Sequence, residues 1–169
     1  LTASLNADLN PRRLERYLAV ARESGAQPVI VLTKADTATD IPAQRAAIEA
    51  IAGGAPIIVI SARSGEGLDA LAPYLQPRQT AALLGSSGVG KSTLLNALAG
   101  AELMATQAIS DERRGRHTTT HRELILLPSG ALLLDSPGLR ELSVWGADEG
   151  VAATFEDVEE LAAQCRFRD

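Results

Sequence analysis

Apolar residues in this chain alternate between short unbroken runs and longer stretches where they recur every three or four positions. Pro28-Val29-Ile30-Val31-Leu32, Ile57-Ile58-Val59-Ile60 and residues 81–84 are runs with both faces apolar, as in strands buried on both sides of a parallel sheet. Residues 1–7 read as the tail of a further strand. Asn10-Pro11 is an N-cap followed by proline at the first helical position. Leu14, Leu18 and Ala21 then form a helical stripe that Gly25 closes. Ala46, Ile48 and Ile51 mark a helix over 42–52, stopped by Gly53-Gly54. A short helix ends near Tyr74-Leu75, and 93–99 carry another, ended by Gly100. Residues 124–127 and 131–134, joined by Pro128-Ser129-Gly130, predict a β-hairpin. An acidic amphipathic helix is expected over 154–163, with Phe155, Val158 and Leu161 inward. Together these elements predict an α/β fold in three layers, a mostly parallel doubly wound sheet carrying one antiparallel hairpin.

One strand-to-helix junction carries chemistry. Gly85-Ser86-Ser87-Gly88-Val89-Gly90-Lys91-Ser92, followed by Thr93, satisfies the pattern G-x-x-x-x-G-K-[ST] at every fixed position. The glycines let the backbone wrap a phosphate chain with N–H groups turned inward. The helix that starts near Lys91 aims its positive dipole end at the same anion. Lys91 is expected to reach the β- and γ-phosphates, and the Ser92 hydroxyl to hold Mg²⁺.

Two further strand ends suggest which base is read. Thr33-Lys34-Ala35-Asp36 resembles the guanine motif of GTPases, usually Asn-Lys-x-Asp. The Asp36 carboxylate can accept from guanine N1–H and the exocyclic amine, a pairing adenine does not offer. The Lys34 stem is expected along the purine face. Thr33 in place of asparagine predicts a weaker contact to guanine N7 or to the phosphate loop. Ser61-Ala62-Arg63-Ser64-Gly65-Glu66-Gly67 resembles the loop that buttresses the base, with the Ala62 N–H donating to guanine O6.

Residues 101–120 have little periodicity and contain Glu112-Arg113-Arg114-Gly115-Arg116-His117-Thr118-Thr119-Thr120-His121-Arg122. A long irregular segment in a compact domain suggests function. One threonine is expected to serve Mg²⁺ and the γ-phosphate; Thr119 is favoured, with Thr118 and Thr120 open. The second hairpin strand delivers Asp135-Ser136-Pro137-Gly138, where Asp135 would hold a Mg²⁺ water and the Gly138 N–H would meet the γ-phosphate.

Length and charge narrow the setting. The 169 residues suffice for one α/β domain. A net charge of −5 argues against gripping nucleic acid over the whole surface, so RNA contact would rest on the arginines of 112–122. One cysteine excludes an internal disulfide framework. No apolar run approaches the ~20 residues of a membrane span, and a cytoplasmic monomer is expected.

The base motifs precede the phosphate loop, the threonines and D-x-x-G, which is a circular permutation of the Ras-like order. That order, with Gly115-Arg116-His117-Thr118-Thr119-Thr120, Asp135-Ser136-Pro137-Gly138-Leu139-Arg140-Glu141 and Cys165-Arg166-Phe167-Arg168-Asp169, resembles the bacterial ribosome small-subunit-dependent GTPase A family (RsgA, also called YjeQ). The resemblance implies a GTPase domain over 1–154 and an incomplete zinc-domain region opening at 155–169. It also implies an OB-fold domain outside this chain. It implies GTP hydrolysis coupled to late 30S maturation, with GTP/GDP, the 30S subunit and 16S rRNA as partners. Cys165 matches the first zinc ligand, so Zn²⁺ is expected only in a longer chain. Leu139 stands where Ras-like proteins carry the water-orienting glutamine, so hydrolysis should be slow alone and stimulated by the ribosome. His117 is the candidate for that missing role. A nucleotide-gated RNA-binding switch with negligible intrinsic hydrolysis, or a P-loop ATPase, are the alternative readings.

Overall fold

The computed structural model describes residues 1–6, 9–102 and 123–135, with 154, 155 and 164. The front half reads β1 (Thr2–Ser4), α1 (Pro11–Glu23), β2 (Ile30–Thr33), α2 (Ile41–Ala52) and β3 (Ile57–Val59). The back half reads β4 (Thr80–Leu83), α3 (Lys91–Ala99), β5 (Glu123–Leu126) and β6 (Leu132–Asp135). Short 3₁₀ turns cover Ala35–Thr37 and Leu68–Tyr74. The second replaces the expected short helix, and Pro73 inside it lacks the N–H that a longer helix needs.

Local chemistry sets the helix ends. The Asn10 side chain accepts from the Arg13 N–H and Pro11 opens α1. Asp40 does the same for α2 through the Ala43 N–H. Gly53 and Gly100 end α2 and α3 in the left-handed conformation. β2 starts two residues later than its apolar run, because Pro28 has no N–H for the ladder. It also runs one residue further, since Ser4 pairs with Thr33. That extra residue brings Thr33 to the carboxyl end of the sheet.

The sheet is not one continuous ladder. β1-β2-β3 is parallel, while β4-β6-β5 pairs parallel at β4/β6 and antiparallel at β5/β6. The two meet where the Thr2 N–H donates to Leu84 O at 2.6 Å. Side chains alternate across the sheet as a period of two requires. Ile30 and Leu32 pack with Leu14, Leu18, Ile48 and Ala52 under α1 and α2. Val31 and Ile58 face the other way, toward Leu71, Leu94, Leu95 and Leu133. Helices therefore cover both faces, α1 and α2 on one and α3 on the other. Leu18 and Leu95 are completely buried, each contributing about 1.5–3 kcal/mol by removal from water.

Strand order runs outward from β1 through β2 to β3, then reverses at β4. In open α/β sheets ligands bind beyond the carboxyl ends of the strands at such a reversal. Here β4 leads into Gly85 at that position. Among the described residues no helix is long and apolar enough to cross a membrane. The expected helix over 154–163 lies outside the described residues apart from Thr154 and Phe155.

Candidate nucleotide-binding site

The phosphate loop occupies the turn between β4 and α3. Gly88 (φ +81°) and Gly90 (φ +97°) take left-handed conformations that a side chain would strain. Gly85 is glycine for a different reason: a Cβ there would lie 2.5 Å from the Thr2 carbonyl oxygen. The loop can only seat against β1 if that position has no side chain. Lys91, 8% exposed, turns its Nζ back into the loop and donates to Gly85 O at 2.8 Å and Ser86 O at 3.0 Å. Burial pushes the Lys91 ammonium below its ordinary pKa, and the Asp135 carboxylate partly offsets this.

Residues from the front half hold this loop. Thr33 is buried, and its Oγ1 donates to Val89 O at 2.5 Å, with Ala3 O further away at 3.2 Å. Lys34 Nζ donates to Gly88 O at 2.7 Å. Threonine at this position keeps a tie to the loop, since its hydroxyl reaches the Val89 carbonyl from the end of β2. Lys34 itself adopts the left-handed backbone conformation (φ +61°), turning the chain from strand into the 3₁₀ turn that bears Asp36.

Asp36 is exposed, and one of its carboxylate oxygens accepts from Ser61 Oγ at 2.8 Å. Ser61 is fully buried. Its N–H donates to Glu66 O, its carbonyl accepts from the Gly65 N–H, and its Oγ accepts from the Ser64 N–H. The Ala35 N–H donates to Ile60 O at 3.1 Å, so both base-side loops are bonded together. Ala62 is half-buried and Arg63 exposed on the rim, as are Ser87 and Gly88. The second oxygen of Asp36 has no described hydrogen-bond partner and is left to accept from a ligand.

Asp135 closes β6 opposite Leu83, the last residue of β4. It is 1% exposed, and its Oδ1 has no hydrogen-bond partner among the described residues. Burial pushes its carboxyl above the ordinary value, Lys91 opposes the rise and Glu123 adds to it. Ser92 and Thr93 sit half-buried in the first turn of α3. A buried, unpartnered carboxylate oxygen close to Lys91, with a hydroxyl at Ser92, is an all-oxygen donor set that suits Mg²⁺. His117, Thr118, Thr119, Thr120, Gly138, Leu139 and Cys165 lie outside the described residues.

Sequence reasoning also missed a contact to the loop from α1. Arg13 Nη1 donates to Ser86 Oγ at 2.7 Å across 73 residues. Its only advance signal is its place one helical turn inside α1, off the apolar stripe of Leu14 and Leu18.

Comparison with known proteins agrees with this geometry. The RsgA GTPase family matches residues 1–145. The chain is 56% identical, over its whole length, to the small ribosomal subunit biogenesis GTPase RsgA of Syntrophotalea carbinolica, and 55% identical to that of Opitutus terrae. It spans 47% of each of those relatives, about half their length. Among solved structures, YjeQ from Thermotoga maritima superposes with a TM-score of 0.67 at 25% identity, covering 99% of this chain and 56% of the other. YloQ, described as a circularly permuted GTPase, gives 0.59 at 30% identity over 99% of this chain and 55% of its own. With its base-side strands ahead of its phosphate loop, this chain belongs to the RsgA GTPase family.

Proposed function

We propose that this chain binds and hydrolyses GTP in the biogenesis of the small ribosomal subunit, with residues 1–154 as the GTPase unit. The observation that carries the reading is the pair of bonds from Thr33 to Val89 O and from Lys34 to Gly88 O. They tie the turn that bears Asp36 to the phosphate loop.

Asp36 accepts from the guanine N1–H and amine, and Ser61 orients its carboxylate by donating to one of its oxygens. The Ala62 N–H donates to O6, Arg63 closes the rim, and the Lys34 stem covers the base. Loop amides from Ser86, Ser87, Gly88, Val89, Gly90 and Lys91 surround the phosphates. Lys91 exchanges Gly85 O and Ser86 O for β- and γ-phosphate oxygens, and the anion restores the charge that burial disfavours. Magnesium, when bound, neutralises charge developing on those oxygens; Ser92 and Asp135, with Thr119, are the residues that would hold it. The Gly138 N–H senses the γ-phosphate. Leu139 is apolar and cannot orient water, so His117 takes that role when the 30S subunit is bound, with the arginines of 112–122 meeting 16S rRNA. The protein acts as a cytoplasmic monomer in this reading. Zinc does not fit the described residues, which contain no group of three or more His, Cys, Asp or Glu able to hold a metal. A lone Cys165 does not make a four-ligand site, and no step passes through zinc.

Competition binding of GTP against ATP tests the reading. The wild type should prefer GTP, and Asp36→Asn should lose roughly a hundredfold in GTP affinity without gaining ATP, given two charge-assisted bonds at stake. Equal affinity of the wild type for both nucleotides would overturn it. Mg²⁺-dependent phosphate release by the wild type, stimulated by 30S subunits and lost with His117→Ala, tests the hydrolytic step.

A further inference from the structure

Ser86 is held by two cations, one at its carbonyl and one at its hydroxyl. Lys91 Nζ reaches its carbonyl at 3.0 Å, and Arg13 Nη1 reaches its hydroxyl at 2.7 Å. Arg13 is fixed at its own base, since its N–H donates to Asn10 Oδ1 at 3.1 Å in the capped first turn of α1. The guanidinium spans a small recess lined by Thr2, Ser4, Asn10, Tyr17 and Val89. Among the described residues it has no carboxylate partner; the nearby Glu15 pairs with Arg12 instead. Ser86 is only 9% exposed, so the bond is largely shielded from water and stronger than a surface contact.

The two restraints differ in what happens on ligand binding. Lys91 must release Ser86 O to reach phosphate oxygens, which leaves that stretch of loop without its donor. Arg13 comes from a different element, and its bond to the hydroxyl can persist. We infer that Arg13 is a positioning residue for the phosphate loop: it holds Ser86 in place while Lys91 changes partners, keeping the loop amides aimed at a nucleoside di- or triphosphate. The inference rests on the nucleotide reading above. It assigns Arg13 no contact with the phosphates.

Affinities for fluorescent GTP and GDP with Mg²⁺ test it in the wild type, Arg13→Ala, Arg13→Gln, Ser86→Ala and the double variant. Loss of a charge-assisted hydrogen bond should weaken both nucleotides by about tenfold in each alanine variant. Because the two residues act through one bond, the double variant should lose about tenfold as well, not about a hundredfold. Arg13→Gln keeps a donor without the charge and should recover most of the loss. Thermal unfolding of each variant without nucleotide confirms that a folded protein is compared. Additive losses overturn the inference. So does a loss larger for GTP than for GDP that Arg13→Gln fails to recover, since that marks a direct electrostatic role. A wild type that binds neither nucleotide in preference to ATP overturns the parent reading, whatever Arg13 does.

Discussion

The Thr33 hydroxyl donates to the Val89 carbonyl, joining the end of β2 to a loop 56 residues further along the chain. A hydroxyl has one proton to give, and Val89 O is nearer than Ala3 O. This bond ties the turn that bears Asp36 to the loop that opens α3.

Thr33→Val keeps the shape and removes the donor. With Val89 O left buried and unpaired, the variant should lose about 1–3 kcal/mol of stability and bind GTP more weakly. Thr33→Asn, whose amide can also donate, should lose less. Denaturant unfolding and GTP titration check this; equal behaviour of Val and wild type would count against the bond.

Gly85→Ala places a methyl 2.5 Å from the Thr2 carbonyl oxygen, a backbone atom that cannot swing away. The contact sits beside the Thr2–Leu84 hydrogen bond that joins the two ladders. Overpacking of this kind typically costs about 1–3 kcal/mol. A lower melting temperature together with reduced GTP affinity is expected, whereas Ala at the solvent-facing Ser87 should leave stability within about 0.5 kcal/mol.

Asp135→Asn separates stability from catalysis. The Asp135 carboxyl is raised in the fold, chiefly by burial. Ionising it therefore costs more folded than unfolded, and its penalty is present above the folded pKa and disappears as pH falls through that value. Measured with chelator and no nucleotide, Asp135→Asn should melt no lower than wild type at neutral pH. Its advantage should shrink as the solution is acidified. Mg²⁺-dependent hydrolysis should be lost at every pH. A variant less stable than wild type at neutral pH would show that the carboxylate's attraction to Lys91 outweighs its burial.

Arg22 fastens the far end of the same helix that carries Arg13. Its Nη2 donates to Ala52 O and Gly53 O at the end of α2, and Nη1 to Thr154 Oγ1 at 2.9 Å. Arg22→Ala should cost about 1–2 kcal/mol, as two helix-terminal carbonyls lose their donor. Arg22→Lys should restore less than half, because a point charge cannot serve three acceptors as a planar fork does. Melting temperatures of the two variants decide it.

The phosphate loop was legible in the residues because its requirement is local: glycines for the turn, a lysine and a serine at the helix start. The α/β class was legible for a similar reason, since apolar runs and helical stripes record which faces are buried. The turns at 33–36 and 61–67 were legible as motifs, and a contact of position 33 with the loop was expected, but not its acceptor, the Val89 carbonyl. The roles assigned to His117, Thr119 and Gly138 stay with the sequence, as those residues lie outside the described part.

Chain order alone determined that the strands alternate with helices and that the base motifs precede the cradle. Tertiary structure decided what those motifs touch. The hydroxyl at position 33 meets Val89 O because β2 extends one residue beyond its apolar run. Gly85 is required by the carbonyl of a strand 83 positions earlier, a clash no local pattern records. Arg13 meets Ser86 only because β1 and β4 are neighbours at the point where the sheet reverses. Such contacts depend on how distant segments are brought together by burial of the two cores, and residue order carries that information only after the chain has packed.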